Sequence, residues 1–378
     1  MQRKVYDLST PCLVVHKAKV KSNADKMQER ADRAGVALRP HFKTSKCVEA
    51  AIIQTGGTKR CMAVSTLAEA ECLQENGFED ILYAVPLSTS KIERCARLAR
   101  AMNDFSVMID SQHSLIALDS KNLGNDKQWN IFVKIDCNNG RAGILYSSDD
   151  ALVLVNAIIK SNKLNFRGLY AHCGDSYHGT GLDCVHQVAK RTTLNVLELV
   201  ERLKEESITC PVYGIGSTPT CSNPIPVMSK LTEWHPGNYI FYDVFQMTKG
   251  SCSQDEIACF VLTRVIGHYP QSNHMIVDCG FTALSLHGGG DCCGLTPGSG
   301  YRKIEGHPEL KLAEMNQEHG LIRPVNESAT LEFATYPIGT IFRIFPDHSC
   351  ATAAMHRVFF IADESENIIE EWRPVSGW

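Results

Sequence analysis

From residue 17 to about 250, apolar runs of strand length alternate with segments whose apolar residues recur at helical spacing. That is the pattern of successive β–α units and a parallel sheet. The strand runs are ALRPHFK (37–43), RCMAVS (60–65), DILYAVPL (80–87), DFSVMID (104–110), WNIFVKIDC (129–137), LNFRGLYAHC (164–173), CPVYGIGS (210–217) and LTEWHPG (231–237). Helical segments lie between them, among them LAEAECLQENG, KIERCARLARAMN, DDALVLVNAIIKSN and the long HQVAKRTTLNVLELVERLKEES. In the last of these, Val188, Leu194, Leu197, Val200 and Leu203 are expected to share one apolar face. Eight parallel strands with crossover helices close into a (β/α)8 barrel of the TIM type.

The run PCLVVH (11–16) precedes the first barrel helix and has no place in the count. Beyond residue 250 the pattern changes to ACFVLTRVIGHY, HMIVDCG, GTIFRIF and HRVFFIAD, with Gly- and Pro-bearing loops between them. The expected organisation is therefore α/β: a barrel over 16–249, and a second, β-rich domain built from 1–15 and 250–378 that carries the metal-site candidates described below. The stretch 287–320, rich in turn residues, is expected to be a long mobile loop near the site.

Composition narrows the function. A chain of 378 residues with 44% hydrophobic content can fill two cores. Its net charge is −4, and the 38 basic and 42 acidic residues are interspersed, so it shows no electrostatic footprint for nucleic acid or an anionic membrane. A small-molecule partner is expected. The opening MQRKVYDLST lacks an apolar signal-peptide core, and no run of about 18 apolar residues occurs, so a cytoplasmic protein is expected. The 16 cysteines are scattered through apolar segments and read mostly as reduced core thiols. Cys292 and Cys293, in GGGDCCG, read as exposed bystander thiols, with reactivity as the sharper alternative. The sequon Asn326-Glu327-Ser328 carries little meaning without secretion.

A barrel's active site lies at the C-terminal ends of its strands. Lys43 ends run one, Arg141 follows run five, and His172 ends run six. After run seven comes GIGSTPT (214–220), and after run eight Pro236, Gly237, Asn238 and Tyr239. Alone, GIGST is an ordinary tight turn. At this point in a barrel, its glycines and hydroxyls suit a phosphate. A strand-end lysine facing such a pocket suggests Schiff-base chemistry, with Arg39, His41 and Lys46 able to depress its amine pKa. The plainer reading makes Lys43 and Lys46 surface lysines around a turn.

RPHFKTSK around Lys43, LYAHCG, GIGSTPT, PGNYIFYD, DCGFTALS and FPDHSCATA together resemble the eukaryotic-type D-serine dehydratases, over nearly the whole chain. Those enzymes are related to the D-threonine aldolases and share the alanine-racemase-like barrel that binds pyridoxal 5'-phosphate (PLP). The resemblance implies that Lys43 holds PLP as a Schiff base and that Arg141 lies near its ring. It also implies that Gly216, Ser217 and Thr218 hold its phosphate, that Tyr170, His172 and Tyr177 line the pocket, and that Tyr239 belongs to the cofactor-binding set. Asp175, within HCGDSYH, is not fixed by the resemblance.

His348 and Cys350 are spaced i, i+2, so in extended backbone both side chains leave one face. An imidazole and a thiolate favour zinc, and two protein ligands leave positions open, as catalytic zinc sites do. As a bare pattern His-x-Cys is weak. The resemblance implies that these two residues bind Zn2+, and Cys350 favours a dehydratase over an aldolase.

The implied reaction eliminates water from D-serine to pyruvate and ammonia. Lys43 takes the α-proton, PLP delocalises the charge, and zinc assists the departing hydroxide. The alternatives are retro-aldol cleavage of a D-β-hydroxy amino acid such as D-threonine, a non-catalytic PLP-binding protein, and a racemase. The resemblance also implies a homodimer.

Overall fold

The structure, a computed structural model, describes residues 3–179, 181–287 and 303–378. In chain order the strands are β1 (Cys12–His16), β2 (Ala37–Leu38), β3 (Met62–Val64), β4 (Asp80–Pro86), β5 (Asp104–Ile109), β6 (Trp129–Asp136), β7 (Ile144–Leu145), β8 (Leu164–His172) and β9 (Val212–Gly216). They continue as β10 (Glu233–Trp234), β11 (Cys259–Tyr269), β12 (His274–Val277), β13 (Lys303–Ile304), β14 (Leu310–Met315), β15 (Gly320–Pro324), β16 (Ile341–Phe345), β17 (Phe359–Ala362) and β18 (Ile368–Trp372).

Two compact units emerge, Asp25–Gly237 with Val375–Trp378, and Met1–Ala24 with Asn238–Pro374. The sequence expectation places these changes at 16 and 250. Hydrogen bonds show why the segments fall as they do. Asn23 Nδ2 donates to Glu256 O at 2.9 Å, while the Val375 N–H donates to Lys46 O at 2.8 Å.

In the first unit, all eight expected runs form strands, in the parallel order β2-β10-β9-β8-β6-β5-β4-β3, with short β7 added beside β6. The two ends of this ladder meet at a parallel bridge between His41 and Ala63. The runs are longer than the strands they form. Run one is a strand only at Ala37–Leu38, after which the chain bridges at His41 and enters a 3-10 turn, Phe42–Thr44.

Register stacks the barrel interior in layers. Lys134 pairs with Tyr170, Tyr170 with Gly214 and Gly214 with Glu233, and one step higher His172 pairs with Gly216. Leu82, Met108, Phe132 and Tyr170 form one apolar cluster.

The helix Gly181–Glu205 buries Val185, Val188, Val196, Leu199 and Leu203, not the face expected. Leu194 is exposed, because six residues beyond Val188 lies about two-thirds of a turn round from it.

In the second unit the sheet order is β14-β15-β12-β11-β1-β17-β18, with β16 pairing β11 and β13. The orphan run PCLVVH is β1, antiparallel to β11 and parallel to β17. Within the stretch 287–320, expected to be a loop, β13, β14 and the first residue of β15 are strand. Residues 288–302, with Cys292 and Cys293, lie outside the described residues. Among the described residues every cysteine is free, eight buried and six half-buried, as core thiols are. No helix among them is long and apolar enough to cross a membrane.

Candidate active site

Strand β9 presents glycine at both 214 and 216 in these layers, which leaves room for a ring from the neighbouring strand end. His235, immediately after β10, fills it. A Cβ on Gly214 would lie 2.8 Å from the His235 ring, and one on Gly216 would lie 2.6 Å from its backbone. The imidazole stacks on Tyr170 at 4.0 Å, nearly parallel at 6°. Lys134, from the same layer of β6, holds its ammonium 4.7 Å from the Tyr170 ring centre.

Beneath this stack a buried ion-pair network fixes the floor. Arg39 Nε donates to Glu233 Oε1 at 2.8 Å, and its Nη1 and Nη2 donate to Asp80 at 2.7 and 3.4 Å. Burial alone raises the Glu233 carboxyl, but Arg39 and then His235 more than offset it and hold it down at about 2. Glu233 is therefore anionic, and His235 Nε2 donates to it at 2.8 Å. Burial pushes His235 down despite that partner, so the ring is neutral and its proton sits on Nε2. Its Nδ1 is then an acceptor, buried and without a hydrogen-bond partner among the described residues.

Two further histidines are held neutral at the strand ends. Burial, then the charge of Lys43, pushes His41 well below its ordinary value. His41 Nδ1 accepts from the Lys43 N–H at 3.4 Å, capping the 3-10 turn that carries Lys43. Burial, then Lys134, Lys43 and Arg141, do the same to His172, whose Nδ1 donates to Gly216 O at 2.6 Å. Lys134 itself is brought down to about 8, by burial first and then by Arg141. Three cationic side chains, Lys43, Lys134 and Arg141, thus act on one mouth where the imidazoles are neutral. Such a field favours an anionic ligand.

The turn after β9 meets that field. Ser217 Oγ accepts from the Thr220 N–H at 3.3 Å and contacts Ser176 Oγ at 2.9 Å, so its hydroxyl serves as a helix cap. Thr218 Oγ1 is buried without a hydrogen-bond partner among the described residues, and the Thr218 N–H reaches Tyr177 Oη at 3.4 Å. An orphaned hydroxyl beside glycines, under a cationic field, fits a phosphate-bearing cofactor.

Of the residues singled out from sequence, Lys43, Arg141, Tyr170, His172, Tyr177, Gly216, Ser217 and Thr218 all lie in this one unit. Tyr239 is buried in the turn Asn238–Ile240 and belongs to the other. Asp175 pairs with Arg191. Sequence reasoning passed over Lys134, Glu233 and His235. A lysine inside the apolar run WNIFVKIDC was the available signal, since lysines are rarely buried.

His348 and Cys350 lie in the second unit. The sequence argument for a shared face needs extended backbone, and the chain is otherwise. His348 is the N-cap of the short helix Ser349–Ala353 (φ −133°, ψ 100°), and Cys350 sits in that helix's first turn. His287 packs on His348 with ring centres 4.5 Å apart. Among the described residues no cluster of three or more His, Cys, Asp or Glu gathers. The soft pair of imidazole and sulfur is a donor set suited to zinc with open positions.

A parallel barrel whose mouth gathers a capped lysine, neutral histidines and a phosphate-type turn defines the alanine-racemase class, and residues 15–243 match the alanine racemase N-terminal domain. Residues 258–362 match the putative serine dehydratase domain, and the chain belongs to the family that joins these two domains. A D-serine dehydratase of Dictyostelium discoideum is 32% identical over 99% of this chain and 98% of its own length. The D-threo-3-hydroxyaspartate dehydratase of Delftia sp. HT23 is 30% identical over the whole of both chains, and its solved structure superposes with a TM-score of 0.93. Structures of that enzyme include a histidine-to-alanine variant and, two positions on, a cysteine-to-alanine variant in the metal-free form. A D-threonine aldolase of an Arthrobacter species is 29% identical over 92% of this chain and 88% of its own length.

Proposed function

We propose that this protein is a PLP- and zinc-dependent lyase that eliminates water from D-serine to give pyruvate and ammonia, acting in the cytoplasm as a homodimer. The observation that carries the reading is full-length similarity to D-serine dehydratases, joined to a barrel mouth that presents Lys43 among neutral histidines.

Lys43 is the residue that holds PLP and takes the α-proton. Arg141 and Lys134 supply positive charge, and Thr218 with the turn after Gly216 takes the phosphate. His235 Nδ1, an acceptor fixed by Glu233, suits a donor on the cofactor ring or substrate. PLP supplies an electron sink for charge developing at the α-carbon. Zinc supplies a Lewis acid for the departing hydroxide, and His348 and Cys350 are the residues that would hold it. The Delftia enzyme supports that assignment, because its substituted histidine and cysteine are also two positions apart.

The Delftia relative also favours a second substrate, D-threo-3-hydroxyaspartate, by the same elimination. The test compares three substrates on one preparation: pyruvate from D-serine, oxaloacetate from D-threo-3-hydroxyaspartate, and glycine from D-threonine. D-Serine should have the highest kcat/KM. Faster oxaloacetate release moves the assignment to the second substrate, and faster glycine release replaces elimination with retro-aldol cleavage.

A further inference from the structure

In the sequence, PGNYIFYD (236–243) stands where a barrel phosphate loop belongs, yet its two polar ends serve something else. Asn238 is 6% exposed and Asp243 fully buried. Asn238 Nδ2 lies 2.6 Å from Asp243 Oδ2, 3.0 Å from Ser349 Oγ and 3.5 Å from Cys350 Sγ. Asp243 Oδ2 also accepts from the Ser349 N–H at 2.9 Å and from its hydroxyl at 3.2 Å. The other oxygen, Oδ1, accepts from the Gln246 N–H at 2.8 Å and caps the helix Val244–Thr248. All of these residues lie in one unit.

We propose that Asn238, oriented by Asp243 and Ser349, is the positioning residue for the sulfur of Cys350. The inference rests on the reading of His348 and Cys350 as the metal pair, and it adds the groups that aim them.

The orientation of the amide is forced. A carboxylate oxygen accepts only, so the amide must turn its NH2, not its oxygen, to Asp243 at 2.6 Å. One amide hydrogen is committed there, and the second points to Ser349 Oγ and Cys350 Sγ. That N–H addresses one side of the sulfur. Asp243 meanwhile grips Ser349, the residue between the two metal-binding candidates, by both backbone and hydroxyl. One buried carboxylate therefore fixes the spacing of His348 and Cys350 and the donor to the sulfur. Outer groups of this kind orient the ligands they touch, and their loss costs about 10–100-fold in metal affinity. The oxygen of the amide, Asn238 Oδ1, is buried without a hydrogen-bond partner among the described residues. It is an acceptor left for a donor that arrives with an occupied site.

The test uses PLP-loaded full-length protein, stripped of metal and titrated with zinc against a competing chelator, with zinc-edge X-ray absorption on the loaded form. Wild-type protein should show a zinc–sulfur shell at about 2.3 Å that Cys350→Ala abolishes. Asn238→Ala should weaken zinc binding about 10–100-fold while cofactor absorbance and the melting of the metal-free protein stay unchanged. Should Asn238→Ala fail to fold, Ser349→Ala keeps the amide but removes one of its two anchors, and a weakening of about 10-fold or more, of the kind such outer groups produce, supports the inference, whereas unchanged affinity overturns it. A wild-type protein without a zinc–sulfur shell defeats the metal reading itself. A wild-type shell with unchanged zinc affinity in the folded variant leaves that reading standing and overturns the role of Asn238.

Discussion

Two lysines three positions apart compete for the covalent role, and their surroundings separate them. Lys46 pairs with Glu69 at 3.1 Å, and Glu69 is fully buried, so the ammonium is the counter-charge of a carboxylate that has lost its water. Lys43 rides on a turn capped by His41, and its charge helps to lower His41, His172 and Lys134 alike, the groups of the proposed mouth. Borohydride should therefore fix the cofactor to Lys43, in the peptide that contains RPHFK. Lys43→Ala should lose that adduct and lower turnover by on the order of 10²–10⁴-fold or more; a label on Lys46 would overturn the assignment. Lys43 could be singled out from sequence because a motif coincides there with the end of an apolar run. Lys134 and His235 were not, since their importance lies in a cross-strand stack on Tyr170 that depends on register. Asn238 was legible as part of a motif, but spacing along the chain does not reveal its contact with Ser349 and Cys350.

The barrel strands could be read because parallel strands buried on both faces appear as continuous apolar runs. The strands β13, β14 and β15 could not. Their residues are partly exposed, LKLAEM alternates only weakly, and neighbouring glycines and prolines make the stretch read as turn. The His-x-Cys pair shows the opposite error, where a regular-backbone argument was applied to a helix start. At this scale the glycines of β9 are the sharpest constraint. A methyl group at position 214 would come within 2.3 Å of Glu233 O as well as meeting the His235 ring, and neither backbone nor stacked ring can move freely. Gly214→Ala should cost about 1–3 kcal/mol of stability, as overpacking does, and weaken PLP retention, both measurable by melting with and without added cofactor. Unchanged melting and unchanged cofactor retention would mean that the stack of Tyr170 and His235 does not organise the mouth.

At the scale of the whole molecule, the residues proposed for the two chemistries belong to different compact units. Lys43, Arg141, His172, Ser217 and Thr218 all belong to Asp25–Gly237, whereas His348 and Cys350 belong to the unit containing Asn238–Pro374. Tyr239 alone of the cofactor candidates crosses that division. Each unit has its own buried core, so loss of a ligand in one need not disturb the anchors in the other. Departure of hydroxide needs charge stabilisation at the β-oxygen, which holding PLP does not. Chelation, His348→Ala or Cys350→Ala should accordingly lower pyruvate release from D-serine by about two orders of magnitude or more, the scale of a lost electrostatic stabiliser. Cofactor absorbance and borohydride fixation at Lys43 should persist in all three cases, and added zinc should restore the chelated wild type but neither variant. If PLP leaves together with the metal, the two sites are one folding unit and the separation fails. If pyruvate release survives chelation, hydroxide leaves without metal help, and His348 and Cys350 lose their proposed part in the reaction.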